Sequence, residues 1–302
     1  MSRNAKAKPM RAVIPAGGFG TRMLPATKSM PKEMMPVLDR PAIQYVLDEA
    51  VQSGIDEVVI ITGRHKKAIE DHFDSSPDLE GFLRDSGRGK SLSLIQNAAG
   101  GARLFYIRQD WPKGLGHAVL QAAPLVEGRP FAVLLGDDII LGARPAIAQL
   151  RDVHERTRAS VFCVQRVPSN EVSRYGIVET EPMGRGLHRV LDIIEKPSAE
   201  EAPSNLAAIG RYVFTPGLMP LLAKTKPGVG GEIQLTDAMR ALAKKEELYC
   251  QEFRGRRFDV GSLEGWLEAT LHLAAKRKDL HHVLDAFLAE HRKDHSLGAW
   301  ND

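Results

Sequence analysis

The chain has 302 residues, of which 43% are hydrophobic and 26% charged, and a formal net charge of +3. This is the balance of a folded globular protein, long enough for one large α/β domain or two smaller ones. So small a charge gives no ground for nucleic acid as a partner, and no apolar run is long enough to span a membrane. Residues 1–9 are polar and basic without a hydrophobic signal core, so a disordered tail and a cytoplasmic location are expected. Cys163 and Cys250 lie far apart in strand-like runs and read as buried, reduced thiols.

Ala12-Val13-Ile14 reads as a buried strand. It runs into Ala16-Gly17-Gly18-Phe19-Gly20-Thr21-Arg22, whose glycines let the backbone turn sharply and leave its N–H groups open to a phosphate chain. Arg22 and Lys32 add the cations that a polyphosphate requires. No Walker loop is present: Gly89-Lys90-Ser91 imitates its end, but Arg84 stands where the first glycine should be, so a solvated basic loop is expected there. The dinucleotide fingerprint also fails, for want of a third glycine after Gly20.

Pro41–Ser53 predicts a helix with Ile43, Val46, Leu47 and Ala50 on one face, stopped by Gly54. Residues 57–62 predict a parallel strand buried on both faces, and a helix follows over 65–73. Residues 75–101 read as an irregular surface excursion. A third strand over 104–107 leads into Gln109, and Gly114-Leu115-Gly116-His117 opens a helix to about Ala123. A second glycine turn at a helix start again suits a nucleotide, and His117 reads as a structural residue of that start. A fourth strand, Phe131–Leu135, ends in Gly136-Asp137-Asp138. Carboxylates at the carboxyl end of a parallel strand sit where open α/β sheets bind ligands, and their oxygens suit Mg²⁺.

After a helix over 145–158 the pattern changes. A strand at 160–164 is followed by 175–178 and 190–194, which read as an antiparallel hairpin around a glycine-rich turn. Then come Glu195-Lys196-Pro197, a strand at 208–214, a helix from Gly230 to Lys245 with Glu232 and Asp237 in its first turn, and a strand at 248–253. Phe258-Asp259-Val260-Gly261 precedes a helix over 263–280 and an amphipathic helix over 281–295. The fold expected is a Rossmann-like α/β architecture: a mixed, mainly parallel sheet with helices on both faces and small antiparallel additions. The first half (10–158), which holds both glycine turns, is expected to bind the nucleotide; a second half (159–262) and C-terminal helices (263–302) follow.

Gly-Gly-x-Gly-Thr-Arg, eight residues, then Pro-Lys resembles the signature of the sugar-phosphate nucleotidylyltransferases, and the likeness extends through most of the chain. The resemblance implies that a nucleoside triphosphate is joined to a sugar 1-phosphate with release of pyrophosphate, here UTP and glucose 1-phosphate, with Mg²⁺ as cofactor. It implies that Ala16, Gly17, Gly18, Gly20, Glu33, Gln109 and Gly114 seat the nucleotide, and that Arg22 and Lys32 act on its phosphates. It implies that Gly176, Glu195 and Lys196 hold the sugar phosphate, and that Asp137 and Asp259 hold the metal. Many relatives carry Cys where this chain has Val260, a side chain expected to point away from the metal. The thymidylyltransferases of the family, which use dTTP, usually have Gln where this chain has Glu33. That difference and the form of Lys-Gly-Leu-Gly-His-Ala favour UTP. A non-catalytic regulatory paralogue is the other alternative; it would have lost the loop lysine or a metal aspartate. A homodimer or homotetramer, with the C-terminal helices as a candidate contact, is the expected assembly.

Overall fold

The computed structural model of the protein describes residues 9–126 and 128–291. Residues 1–8 of the expected tail and 292–295 of the last expected helix lie outside the described residues.

A nine-stranded sheet organises the chain. Its strands are β1 (Arg11–Pro15), β2 (Glu57–Thr62), β3 (Arg103–Arg108), β4 (Phe131–Leu134), β5 (Ser160–Arg166), β6 (Gly176–Gly184), β7 (Leu187–Glu195), β8 (Leu206–Phe214) and β9 (Leu248–Glu252). They lie in the order β3-β2-β1-β4-β8-β5-β9-β7-β6. The first four are parallel, in registers such as Val13 opposite Val59 and Val133. β8 then runs antiparallel to both β4 and β5, and β6 and β7 form the expected hairpin. The antiparallel strands therefore continue the same sheet.

Alternation explains why both faces are dry. Ala12, Ile14, Val58 and Ile60 face one hydrophobic cluster, and Val13, Val59 and Ile61 face another. The first cluster is closed by helices α1 (Ala42–Gln52) and α3 (Ala146–Thr157), the second by α2 (Leu115–Gln121) and α4 (Leu235–Ala243). A third, smaller cluster joins Val37, Ala42, Ile139, Phe258, Val260 and Ala269. It fixes a two-stranded ribbon, Asp138–Leu141 with Arg256–Asp259, against α5 (Leu263–Lys276).

Two expectations change. The 75–101 segment holds two helices, Pro77–Asp85 and Gly89–Gln96, with Gly89-Lys90-Ser91 opening the second. Pro77 and the acidic residues Asp78 and Glu80 suit a helix start, but Leu83 is the one buried residue of the two helices. Both helices are short and mostly exposed, and Gly81, Gly87 and Gly89 within and between them read as loop in the sequence. Secondly, the helix expected from Gly230 begins at Leu235. Ile233 donates to the Lys113 carbonyl and accepts from the Gly116 N–H, both at 2.8 Å, and this pairing holds Glu232–Gln234 extended. Glu232 therefore lies ahead of the helix, while Asp237 is in its first turn.

Candidate active site

Because β1, β2, β3 and β4 are parallel, their carboxyl ends share one edge of the sheet. Leaving β1, Ala16 is buried and donates to the Ile61 carbonyl at 2.8 Å, which pins the start of the glycine loop to β2. Gly20 takes φ +69°, a conformation that favours glycine, and its carbonyl accepts from Thr27 at 2.7 Å. Short 3₁₀ turns then present Arg22 and Lys32. The loop, the turn after β2 and the Gln109–Pro112 segment after β3 line a cleft of about 910 Å³. That is the size of a small-molecule site. Phe19 and Trp111, both largely exposed, meet edge to face in it, with ring centroids 6.4 Å apart.

The loop after β4 and the end of the ribbon bring two carboxylates to the same cations. Lys32 Nζ lies 2.5 Å from Asp137 Oδ2. Arg22 spans both acids, donating to Asp259 at 2.9 and 3.2 Å with its other carboxylate contact, to Asp137, at 3.8 Å. Val260 N donates to the Asp137 carbonyl at 2.9 Å, so the two backbone segments are tied as well. A methyl at Gly261 would lie 2.5 Å from Asp137 Oδ2 and 2.7 Å from the Arg22 guanidinium. Only glycine leaves room for the cluster. The side chain of Val260 is fully buried in the third hydrophobic cluster, apart from the carboxylates.

Burial pulls the Lys32 ammonium down, but Asp137 and, after it, Glu33 more than offset this, and Lys32 titrates above the ordinary lysine range. Burial pushes Asp137 up, and Lys32 more than reverses it, so Asp137 lies below the usual carboxylate value. Asp138 differs: burial raises it, and it is held by Arg257 at 2.8 Å and by the Gly210 N–H at 3.2 Å. It is a buttress under the site. Among the described residues no group of three or more His, Cys, Asp or Glu side chains could hold a metal unaided. Two carboxylates converging on one point do fit a hard cation that completes its shell with phosphate and water oxygens.

Glu33 is almost fully buried, and burial raises its carboxyl. It accepts from Lys66 at 2.8 Å, and Lys66 in turn lines the cleft. Glu33 therefore lies beneath the cleft, held by Lys66 and within the field of Lys32. Gln109 places its amide Nε2 2.7 Å from His117 and its Oε1 against Gly17. Gly114 has φ +102°, and a methyl there would strike the Ile233 carbonyl at 2.7 Å. That same 232–236 stretch reaches Gly176 and Glu195. Thr236 donates to Glu195 at 2.8 Å, and a methyl at Gly176 would lie 2.6 Å from Thr236 Cγ2. Lys196, at φ +47°, holds its ammonium 3.5 Å from Glu195 and remains partly exposed.

Three residues of the site carried no distinguishing mark in the sequence. Arg174 approaches Asp259 to 3.8 Å, Lys66 holds Glu33, and Arg257 joins Asp138 to the Tyr175 hydroxyl. The one available signal was position: Arg174 and Tyr175 immediately precede Gly176.

The chain matches the family model described as nucleotidyl transferase over residues 11–276. It is 47% identical over 281 residues to the UTP–glucose-1-phosphate uridylyltransferase of Bacillus subtilis (strain 168), covering 93% of this chain and 96% of that one. Its structure resembles that of a UDP-glucose pyrophosphorylase complexed with UDP-glucose, at TM-score 0.82 and 40% identity, over 89% of this chain and 100% of that one. It also resembles the UTP-bound enzyme of Acinetobacter baumannii, at TM-score 0.86 and 36% identity, over 94% of this chain and 99% of that one.

Proposed function

The chain belongs to the nucleotidyl transferase family, and from that membership we propose that it transfers a uridylyl group from UTP to glucose 1-phosphate, yielding UDP-glucose and pyrophosphate. A phosphate oxygen of glucose 1-phosphate attacks the α-phosphorus of UTP, and the bond to the bridging oxygen of pyrophosphate breaks. The nucleophile is already an anion, so no general base is needed. The barrier is the approach of two anions and the charge gathering on the leaving group, which positioning and fixed cations lower. Arg22 and Lys32 supply those cations. The observation that carries this reading is that Arg22 reaches both Asp137 and Asp259 while Lys32 grips Asp137, so cations and carboxylates from distant parts of the chain meet beside the cleft.

Asp137 and Asp259 would hold Mg²⁺, which when bound neutralises phosphate charge. The glycine loop, Gln109 and Gly114 seat the nucleoside; Glu195, Gly176 and Lys196 receive the sugar phosphate. The simultaneous presence of Lys32, Asp137 and Asp259 in one cluster argues against a regulatory paralogue. Leu263, Leu267 and Leu271 form an exposed stripe along α5, which supports a homodimer or homotetramer as the working assembly. Light scattering on the purified protein tests it: a monomer at micromolar concentration would remove that assembly.

The deciding assay is pyrophosphate release with glucose 1-phosphate and Mg²⁺, run separately with UTP and dTTP. Release with UTP in clear preference is expected. Preference for dTTP would transfer the protein to the thymidylyltransferases, and binding of UTP without turnover would make it a regulator.

A further inference from the structure

His117 was expected to be a structural residue of a helix start, but its ring stands between two glutamine amides. Gln109 Nε2 lies 2.7 Å from Nδ1, and Gln121 Nε2 lies 3.2 Å from Nε2 on the opposite side. A neutral imidazole has one N–H and one lone pair, so it cannot accept from both amides. Burial and the nearby Lys113 hold His117 below the ordinary histidine value, which makes the neutral ring the working form. The two contacts are not equivalent. Gln109 is 4% exposed, and its contact with the ring is the shorter. Gln121, at the end of α2, is only partly buried, and its amide has a second acceptor, the His117 carbonyl at 3.3 Å, so it can give up the longer contact with the ring. The arrangement that keeps the shorter, buried bond has Gln109 Nε2 donating to Nδ1, the ring proton on Nε2, and the Gln121 amide donating to the His117 carbonyl.

This arrangement leaves Gln109 Oε1 as the free amide atom. It lies against Gly17 of the glycine loop, so close that a methyl at Gly17 would be 2.6 Å from it, and both residues line the cleft. A carbonyl oxygen there accepts from a base edge bearing an imide N–H, which uracil and thymine have, and opposes cytosine, whose corresponding ring nitrogen is a lone pair. Were the Gln109 amide turned over, its NH₂ would favour the cytosine nitrogen instead.

We propose that His117 is a positioning residue for base selection: by accepting from Gln109 Nε2 it locks the amide with Oε1 toward the base, and so discriminates imide-bearing nucleotides from cytosine nucleotides. This rests on the assignment of Gln109 to the base given above.

The test is calorimetric Kd for UTP, dTTP and CTP, with turnover on UTP alongside. His117→Phe keeps a ring of similar size and removes the acceptor. The preference for UTP over CTP is expected to fall by about tenfold, because the site loses a fixed hydrogen-bond polarity rather than a contact surface. The UTP to dTTP ratio should stay within about twofold, since both bases carry the imide N–H. His117→Asn, whose Oδ1 can stand in for Nδ1, should retain most of the discrimination. An unchanged UTP to CTP ratio in folded His117→Phe, or equal losses for all three nucleotides, overturns the proposal. If that variant does not fold, His117→Ala is read by the same ratios. Gln109→Leu separates the two levels. Lost discrimination there but not at His117 removes the positioning role alone, whereas retained discrimination removes Gln109 as the base reader and the proposal with it.

Discussion

Lys32 shows how one side chain's role is set by its partner. A lysine this deeply placed would be driven toward neutrality, yet Asp137 at 2.5 Å keeps it charged, the form in which the proposed mechanism uses it. Lys32→Met is expected to lower kcat/KM by roughly a hundredfold, the scale seen for removing one preorganised charge-stabilising group. Circular dichroism should show the native fold retained; full activity in a folded variant would displace Lys32 from the mechanism. The two cysteines illustrate the opposite case. Cys163 and Cys250 are buried, and burial pushes both thiols well up, so neither presents a thiolate at neutral pH. A chromogenic disulfide reagent should titrate neither thiol in the native protein and both in denaturant. Rapid reaction of either in the folded protein would contradict the burial of its strand.

At the scale of elements, the extended Glu232–Gln234 stretch and the start of α4 link the Gly114–Gly116 turn to Glu195. Ile233 of the stretch pairs with Lys113 and Gly116, and Thr236 in the first turn of α4 donates to Glu195. Gly114→Ala would place a methyl against the Ile233 carbonyl in a backbone conformation that side chains avoid. Strain of about 1–3 kcal/mol is expected. It should appear as a lower denaturant midpoint and a raised KM for UTP, and a wild-type midpoint would mean that the segment is free to move aside. This coupling was not legible beforehand. The glycines and the helix were, but a three-residue extended stretch has no periodicity of its own, and its pairing partner lies more than a hundred residues away.

For the molecule as a whole, the sheet core is held across its two halves by buried charge. Arg211 on β8 is fully buried and donates to Glu49 of α1 at 2.9 and 2.7 Å, to the Asp138 carbonyl at 2.7 Å and to its own strand. Glu49 also accepts from the Ile147 N–H at the start of α3, so α1, α3, β8 and the loop of the acidic pair meet at one point. Arg211→Met would leave Glu49 buried without its cation, at a cost of about 3–5 kcal/mol. The urea midpoint should fall accordingly, and replacing Glu49 with Leu in the same chain should recover part of the loss. An unchanged midpoint for Arg211→Met would mean that water reaches Glu49.

The sequence by itself determined the parallel half of the fold and the family to which the chain belongs. Apolar runs such as Val58–Ile61 and Phe131–Leu134 can be satisfied only by burial on both faces, and a glycine turn beside Arg22 and Lys32 carries a local chemistry that needs no partner to be read. The tertiary structure alone decided how β8 joins the two sets of strands, that Asp138 is a buttress while Asp137 faces the cations, and that Glu33 sits beneath Lys66. Those outcomes depend on which charge lies within a few ångströms of which carboxylate. Residue type and spacing along the chain leave such distances open, because they arise when segments remote in sequence pack together.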